Sequence, residues 1–183
     1  MNRRVFLAAA LMAATPLLAQ TAPKKAPASP AATASATIGG KAITITYNSP
    51  GVKGREGKIF GKGGLISTNP HYPVWRAGAN GATTLKTDGA LMIGDVMAPA
   101  GTYTLFVDIS DPDQWTLIVS KATGEWGLAY DSAQDLGKVK MTMTKPAALV
   151  ENLVYTITDN GGGNGTLTLA WEDHSASVAI MVH

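Results

Sequence analysis

The residues best suited to chemistry lie in one stretch, His71-Tyr72-Pro73-Val74-Trp75-Arg76-Ala77-Gly78-Ala79-Asn80-Gly81-Ala82-Thr83, and in a Gly/Pro-rich stretch upstream that carries Arg55. Arg76 offers a planar fork of N–H donors that fits carboxylates, phosphates or sugar hydroxyls. Trp75, or Trp126 further along, supplies a flat face for stacking. Asn80 can donate and accept at once. Together these types make a small polar binding site under an aromatic wall. They equally suit a structural role, with Arg76 paired to Glu56 or Asp108, Asn80 holding the loop and Trp75 plugging one end of the fold.

Other chemistries find less support in the spacing. The histidines are His71, His174 and His183, and Trp171-Glu172-Asp173-His174 offers two metal ligands with His71 as a third. That spacing matches no metal motif, so neither a metal nor a cofactor is expected. Asp159 to Gly165 lacks the closing glutamate of a calcium loop and reads as a long hairpin loop between two strands. Gly61-Lys62-Gly63-Gly64 lacks the ending of a phosphate-binding loop, and no Gly-x-Ser-x-Gly elbow exists. The chain has no cysteine, which excludes a thiol nucleophile, a zinc ribbon and a disulfide scaffold. Glu56, Asp108, Asp131 and Asp135 are the acids that could pair in an active site. Met141 and Met143 alternate along a strand, whereas copper handling wants a denser cluster. No catalytic residue is assigned.

The elements that must position these residues are strands. Ile43, Ile45 and Tyr47 alternate with Ala42, Thr44 and Thr46, the period of a half-buried strand. Gly39-Gly40 separates this run from Ala34–Ile38 and predicts a tight hairpin. Similar runs follow over 83–87, 102–109, 115–119, 138–144, 152–158, 166–171 and 175–182, rich in Thr, Val, Ile, Tyr and Trp. Asp88-Gly89, Pro99-Ala100-Gly101, Ser110 to Asp113 and Asp159 to Gly165 are turn chemistry. No ten-residue stretch has a helical period, and only Ser132–Leu136 fits one helical turn. The pattern predicts an all-β, antiparallel β-sandwich, jelly-roll or immunoglobulin-like, over residues 35–183. Residues 48–82 break it, and a long connection rich in aromatic residues is where a site belongs.

Before the domain, Met1 to Ala19 has the basic start, apolar run and small cut-site residue of a secretory signal, with cleavage expected after Ala19. Asn2-Arg3-Arg4-Val5-Phe6-Leu7 fits twin-arginine export and ordinary secretory export equally. Residues 20–34 hold almost only Ala, Pro, Thr, Lys and Ser and are expected to form a disordered tether. Of 15 basic residues, Arg3, Arg4, Lys24 and Lys25 lie in these segments, leaving 11 against 13 acidic ones in the domain. A near-neutral domain carries no basic footprint for nucleic acid, and no membrane span is expected after cleavage. The expected compartment is periplasmic or secreted.

Several blocks also resemble one bacterial family, the domain of unknown function 2911. They are Ser-Pro-Gly-Val-Lys-Gly-Arg-Glu (49–56), Val-Trp-Arg-x-Gly-Ala-Asn-x-Ala-Thr (74–83), Pro-Ala-Gly-Thr-Tyr-x-Leu-Phe (99–106), Trp115 and Trp126-Gly127. The resemblance runs from about residue 43 to the final strand. The chain departs from it at Gly57-Lys58 and at Ser67–His71. The resemblance implies an exported β-rich domain and carries no activity with it. Its motif positions fall here on Arg55, Trp75, Arg76, Asn80 and Thr83. The expectation is a non-catalytic exported module that binds a small polar ligand (a sugar or a carboxylate) or an envelope partner protein through Arg55, Trp75, Arg76, Asn80, Thr83 and Trp126. The rivals are a periplasmic hydrolase or isomerase using a carboxylate with Arg76 and His71, and a structural envelope protein without a pocket.

Overall fold

Alternation along Lys41–Asn48 buries Ile43, Ile45 and Tyr47 and leaves Ala42 and Thr46 exposed, as the pleat of a strand requires. The same rule organises the computed structural model, which describes residues 28–124 and 126–183. The leader, residues 20–27 of the tether and Glu125 lie outside the described residues. In chain order the strands are β1 (Ala31–Ile38), β2 (Lys41–Asn48), β3 (Val74–Trp75), β4 (Thr83–Thr87), β5 (Leu91–Ile93), β6 (Val96–Ala98) and β7 (Gly101–Asp108). They continue with β8 (Thr116–Ser120), β9 (Asp135–Lys140), β10 (Thr142–Thr144), β11 (Val150–Gly161), β12 (Asn164–Glu172) and β13 (His174–Val182).

Two antiparallel sheets form a sandwich. One has the order β1-β2-β4-β7-β8-β9, with β3 also on β7; the other runs β11-β12-β13-β5-β6, with β10 on β13. Their facing side chains make one buried cluster, with Ile45, Leu85, Leu105 and Leu117 from the first sheet and Leu153, Leu167, Leu169 and Val178 from the second. A smaller buried layer lies on the outer side of β7 and β8. There Phe106 packs on Tyr130, with ring centroids 5.0 Å apart, and the Thr104 hydroxyl donates to Ala122 O at 2.6 Å. Helical structure among the described residues is limited to 3-10 turns at Leu65–Thr68 and Ser132–Gln134. No described helix is long and apolar enough to cross a membrane.

Turn chemistry sets the hairpins. Gly39 and Gly40 both have positive φ, 55° and 77°, the requirement of a two-residue turn between twisted strands. Gly162 and Gly163 do the same between β11 and β12, where Gly161 pairs with Asn164. The long loop expected at Asp159–Gly165 is therefore a two-residue turn, because three glycines let both strands run on. The tether also ends earlier than its composition predicts. Ala31–Ala34 pair with Ile45–Asn48 as the first half of β1, since small side chains cost a strand little when its backbone is paired. The run 138–144 divides at Met141, whose N–H donates to Trp115 O at 2.8 Å, and the chain passes there from the first sheet to the second.

The stretch after β2 bridges the sandwich at one end. The Ser49 hydroxyl donates to Leu153 O at 2.6 Å, Val52 N to Glu151 O at 2.7 Å and Leu153 N to Pro50 O at 2.9 Å. These bonds tie residues 49–52 to β11 in the opposite sheet. Val52, Ile59 and Ile66 are buried and anchor the stretch. It returns as β3, which pairs Val74 with Asp108 and Trp75 with Val107, just beyond the Thr83–Leu105 pairing of β4. Trp75 and Arg76 are thereby fixed at the end of the sandwich that residues 49–70 cover.

Candidate functional site

Trp75 closes that end. It stacks on Trp171 of the opposite sheet (5.8 Å, 23°), and Phe60 meets Trp75, Trp115 and Trp171 with centroids 4.9–5.9 Å apart. The Trp75 Nε1–H donates to Gly78 O at 3.1 Å, which draws the following loop back over the ring. Within that loop, Ala77 O accepts from both the Thr83 hydroxyl (3.1 Å) and the Tyr155 hydroxyl (2.9 Å). Burial pushes the Tyr155 hydroxyl well above its ordinary range, so it stays a donor. These bonds hold Ala77 at φ 51° and Asn80 at φ 56°, left-handed conformations uncommon for residues other than glycine.

Arg76 sits at the base of this loop. Its Nη1–H donates to Asn80 O at 3.0 Å, while its Nε is buried with no hydrogen-bond partner among the described residues. Burial lowers its pKa from the ordinary arginine value. No ion pair links Arg76 to Glu56, Asp108 or any other described carboxylate; the described ion pairs are Lys86–Asp88, Lys138–Asp135 and His174–Asp173. The alternative that Arg76 pairs with Glu56 or Asp108 is therefore corrected. Glu56 is exposed, and Asp108 instead accepts from Ser110 N at 2.9 Å.

Beside Arg76 opens a cavity of about 630 Å³. Its cationic lining is Lys53, Arg55 and Arg76; its apolar lining includes Pro50, Leu65, Ile66 and Leu128, with Trp75 and Trp171 at its inner end. No Asp, Glu or His is among the described lining residues. Arg55 is held by the backbone, its Nε and Nη2 donating to Val52 O (2.9 Å) and Gly51 O (2.7 Å). The Trp171 indole N–H, like Arg76 Nε, is buried without a partner. Ala28 and Ser29 complete the wall: Lys53 Nζ donates to Ala28 O at 2.6 Å, and Asn48 and Asn80 both donate to Ser29 O, at 3.2 and 3.4 Å. The non-glycine residues with positive φ among the described residues are Lys53, Ala77, Asn80 and Glu172. Each lines this cavity or adjoins a residue that does.

A family profile described as "Protein of unknown function (DUF2911)" matches residues 29–180, from the cavity wall at Ser29 to the last strand. The chain belongs to this family. Neither the curated proteins nor the solved structures contain a match.

The DUF2911 fold brings Arg55, Trp75 and Arg76 to one cavity and distributes the other expected residues around it. Asn80 touches Arg76 through its carbonyl and is itself exposed. Thr83 is fully buried beneath the loop and acts on it through Ala77 O. Trp126 is 63% exposed and outside the lining, although its neighbour Gly127 packs on the Arg76 stem and Leu128 reaches the cavity. His71 lies elsewhere, in a second cavity of about 500 Å³ with Tyr130, Asp131 and Gln134. The structure therefore does not join His71 to Arg76. Asp131 caps the 3-10 turn at Ala133 N (2.9 Å), and Asp135 accepts from the Tyr130 hydroxyl (2.9 Å) beside Lys138 (3.3 Å).

Glu172, Asp173 and His174 place ligand atoms within 4.8 Å of one another, but without His71. Glu172 accepts from Gly57 N, and His174 Nδ1 lies 2.6 Å from Asp173 and stacks on Trp115. Sequence reasoning missed Lys53, Leu128, Trp171 and Ser29 as lining. Lys53 stood inside the segment already singled out, and its charge was the available signal. Trp171 reaches the cavity only through pairing of the two sheets.

Proposed function

We propose that this chain is an exported, non-catalytic β-sandwich module that holds a small ligand by its anionic group in the cavity beside Arg76. The observation that carries this reading is the half-buried Arg76 guanidinium, which lacks a carboxylate partner among the described residues. The guanidinium makes one described hydrogen bond, Nη1 to Asn80 O, so it keeps N–H donors for a ligand oxyanion in the cavity that Arg76 lines. Lys53 and Arg55 add positive charge, and Glu151, which accepts from Lys53 N at 2.9 Å, lies outside the lining. Left-handed backbone at Lys53, Ala77 and Asn80 supports the reading further, because strain of about 1–3 kcal/mol per residue tends to collect where a ligand is held. Export rests on the signal pattern of residues 1–19.

A sugar is less well matched than an acid. The flat faces on which a sugar ring stacks are used up, since Trp75 and Trp171 lie against each other at 3% and 2% exposure. Carboxylates that would accept from sugar hydroxyls are missing from the described lining. The non-catalytic reading is supported by the lack of any described acid or histidine beside Arg76 to transfer a proton.

The test is a thermal-shift screen of the purified protein against organic acids, sugars, phosphates and divalent metals. Organic acids at about a hundred times their Kd should raise Tm by about 5–10 °C. Arg76→Ala should abolish the shift while remaining folded by circular dichroism. A shift that survives in Arg76→Ala, or none with any acid, contradicts the proposal.

A further inference from the structure

We infer that the ligand is an amphipathic organic acid, a single carboxylate carried on an apolar body of medium length. This rests on the reading of Arg76 as an anion anchor and adds what lies beyond the anionic group. A cavity of about 630 Å³ is far larger than a carboxylate needs and falls in the range that encloses a whole small molecule. The lining outside the cationic residues is largely hydrocarbon: Pro50, Leu65, Ile66, Pro70, Leu128 and the edges of two tryptophans. Leu65 is 40% exposed and stands on the 3-10 turn at the cavity wall. A short hydrophilic acid would satisfy Arg76 and leave this wall in water. An alkyl or aryl body removes both surfaces from water together.

Polyanions and sugar acids fit less well. Arg55 has two of its guanidinium nitrogens on the Val52 and Gly51 carbonyls, and Lys53 Nζ is on the Ala28 carbonyl. Arg76, whose guanidinium makes one described hydrogen bond, is thus the lining cation with donors to spare, which suits one planar carboxylate better than a phosphate needing several donors. Polar side chains that could serve a polyol are few, namely Ser29, Thr68 and Asn69.

The experiment is calorimetric titration of the purified protein with the straight-chain carboxylates from acetate to octanoate, with octanol, gluconate and inorganic phosphate alongside. Affinity should climb about three- to fourfold per added methylene until the cavity is filled. Octanol, gluconate and phosphate should bind at least tenfold more weakly than octanoate. Leu65→Asn combined with Leu128→Asn, both surface-accessible, should flatten the chain-length dependence and bring octanoate affinity down toward that of acetate. Arg76→Gln should weaken every carboxylate, and Arg76→Lys should fall between Gln and the native residue. If gluconate, phosphate or acetate binds as tightly as octanoate and still depends on Arg76, the inference about the body is overturned and the anion site stands. If octanoate binds and Arg76→Gln does not weaken it, or nothing binds, the anion site itself falls.

Discussion

Arg76 is held by its neighbours more than by its own hydrogen bonds. One contact fixes the guanidinium to Asn80 O, and the rest of the control is steric. A Cβ at Gly127 would lie 2.7 Å from Asn80 O and 2.8 Å from both Arg76 Cδ and Gly81 O, so only glycine lets the Trp126–Leu128 segment close on the arginine stem. Gly127→Ala should therefore push Arg76 out of place. The expected cost is about 1–3 kcal/mol of stability by denaturant unfolding, as for other overpacked sites, with carboxylate affinity falling at least tenfold. Unchanged affinity would show that the packing at Gly127 does not set the guanidinium's position. The types of Arg76, Trp75 and Arg55 were legible as binding chemistry from sequence because planar donors and flat rings advertise themselves. Whether Arg76 was paired was not legible, because Glu56 and Asp108 were equally available partners until their positions were known.

The strands were legible wherever alternation lasted five residues or more. Thr83–Thr87 and the runs within β2, β11, β12 and β13 declared their buried faces directly, whereas β7, covered on both sides, is buried at every residue from Tyr103 to Val107. Elements of two or three residues, β3, β5, β6 and β10, are too short to show a period, and sheet pairing alone defines them. Ala31–Ala34 misled by composition, since nothing in a run of small residues reveals that a partner strand lies alongside. The segment before β1 is part of the site for the same reason. The carbonyls of Ala28, Ser29 and Pro30 receive hydrogen bonds from Lys53, Asn48, Asn80 and Ser49 N. A chain beginning at Ala31 should lose about 1–3 kcal/mol of stability, a Tm drop of about 2–4 °C per kcal/mol for a domain of this size. It should also bind carboxylates more weakly, because Lys53 and Asn80 lose their anchors. Full affinity in the shortened chain would show that residues 28–30 only lie against the wall.

At the scale of the molecule, the cavity belongs to neither sheet alone. Trp75 and Arg76 extend the first sheet, Trp171 ends a strand of the second, and residues 49–70 bridge the two while Leu128 arrives from the segment covering the outer face of β7 and β8. Contacts between residues nearly a hundred positions apart leave no local trace, which is why the sequence placed Trp75 beside Arg76 and did not place Trp171 there. The same geometry supplies a reporter, since Trp171 lines the cavity and its indole N–H is buried and unpartnered, hence sensitive to a change in the packing around it. The decisive measurement is a nitrogen–proton NMR titration of the purified protein with octanoate, following the four indole N–H signals and Arg76 Nε–H. Movement of the Arg76 Nε–H and Trp171 Nε1–H signals as the cavity fills, with Trp126 unmoved and the response lost in Arg76→Ala, is the predicted result. Arg76 Nε–H and Trp171 Nε1–H signals that stay in place at saturating octanoate would contradict it.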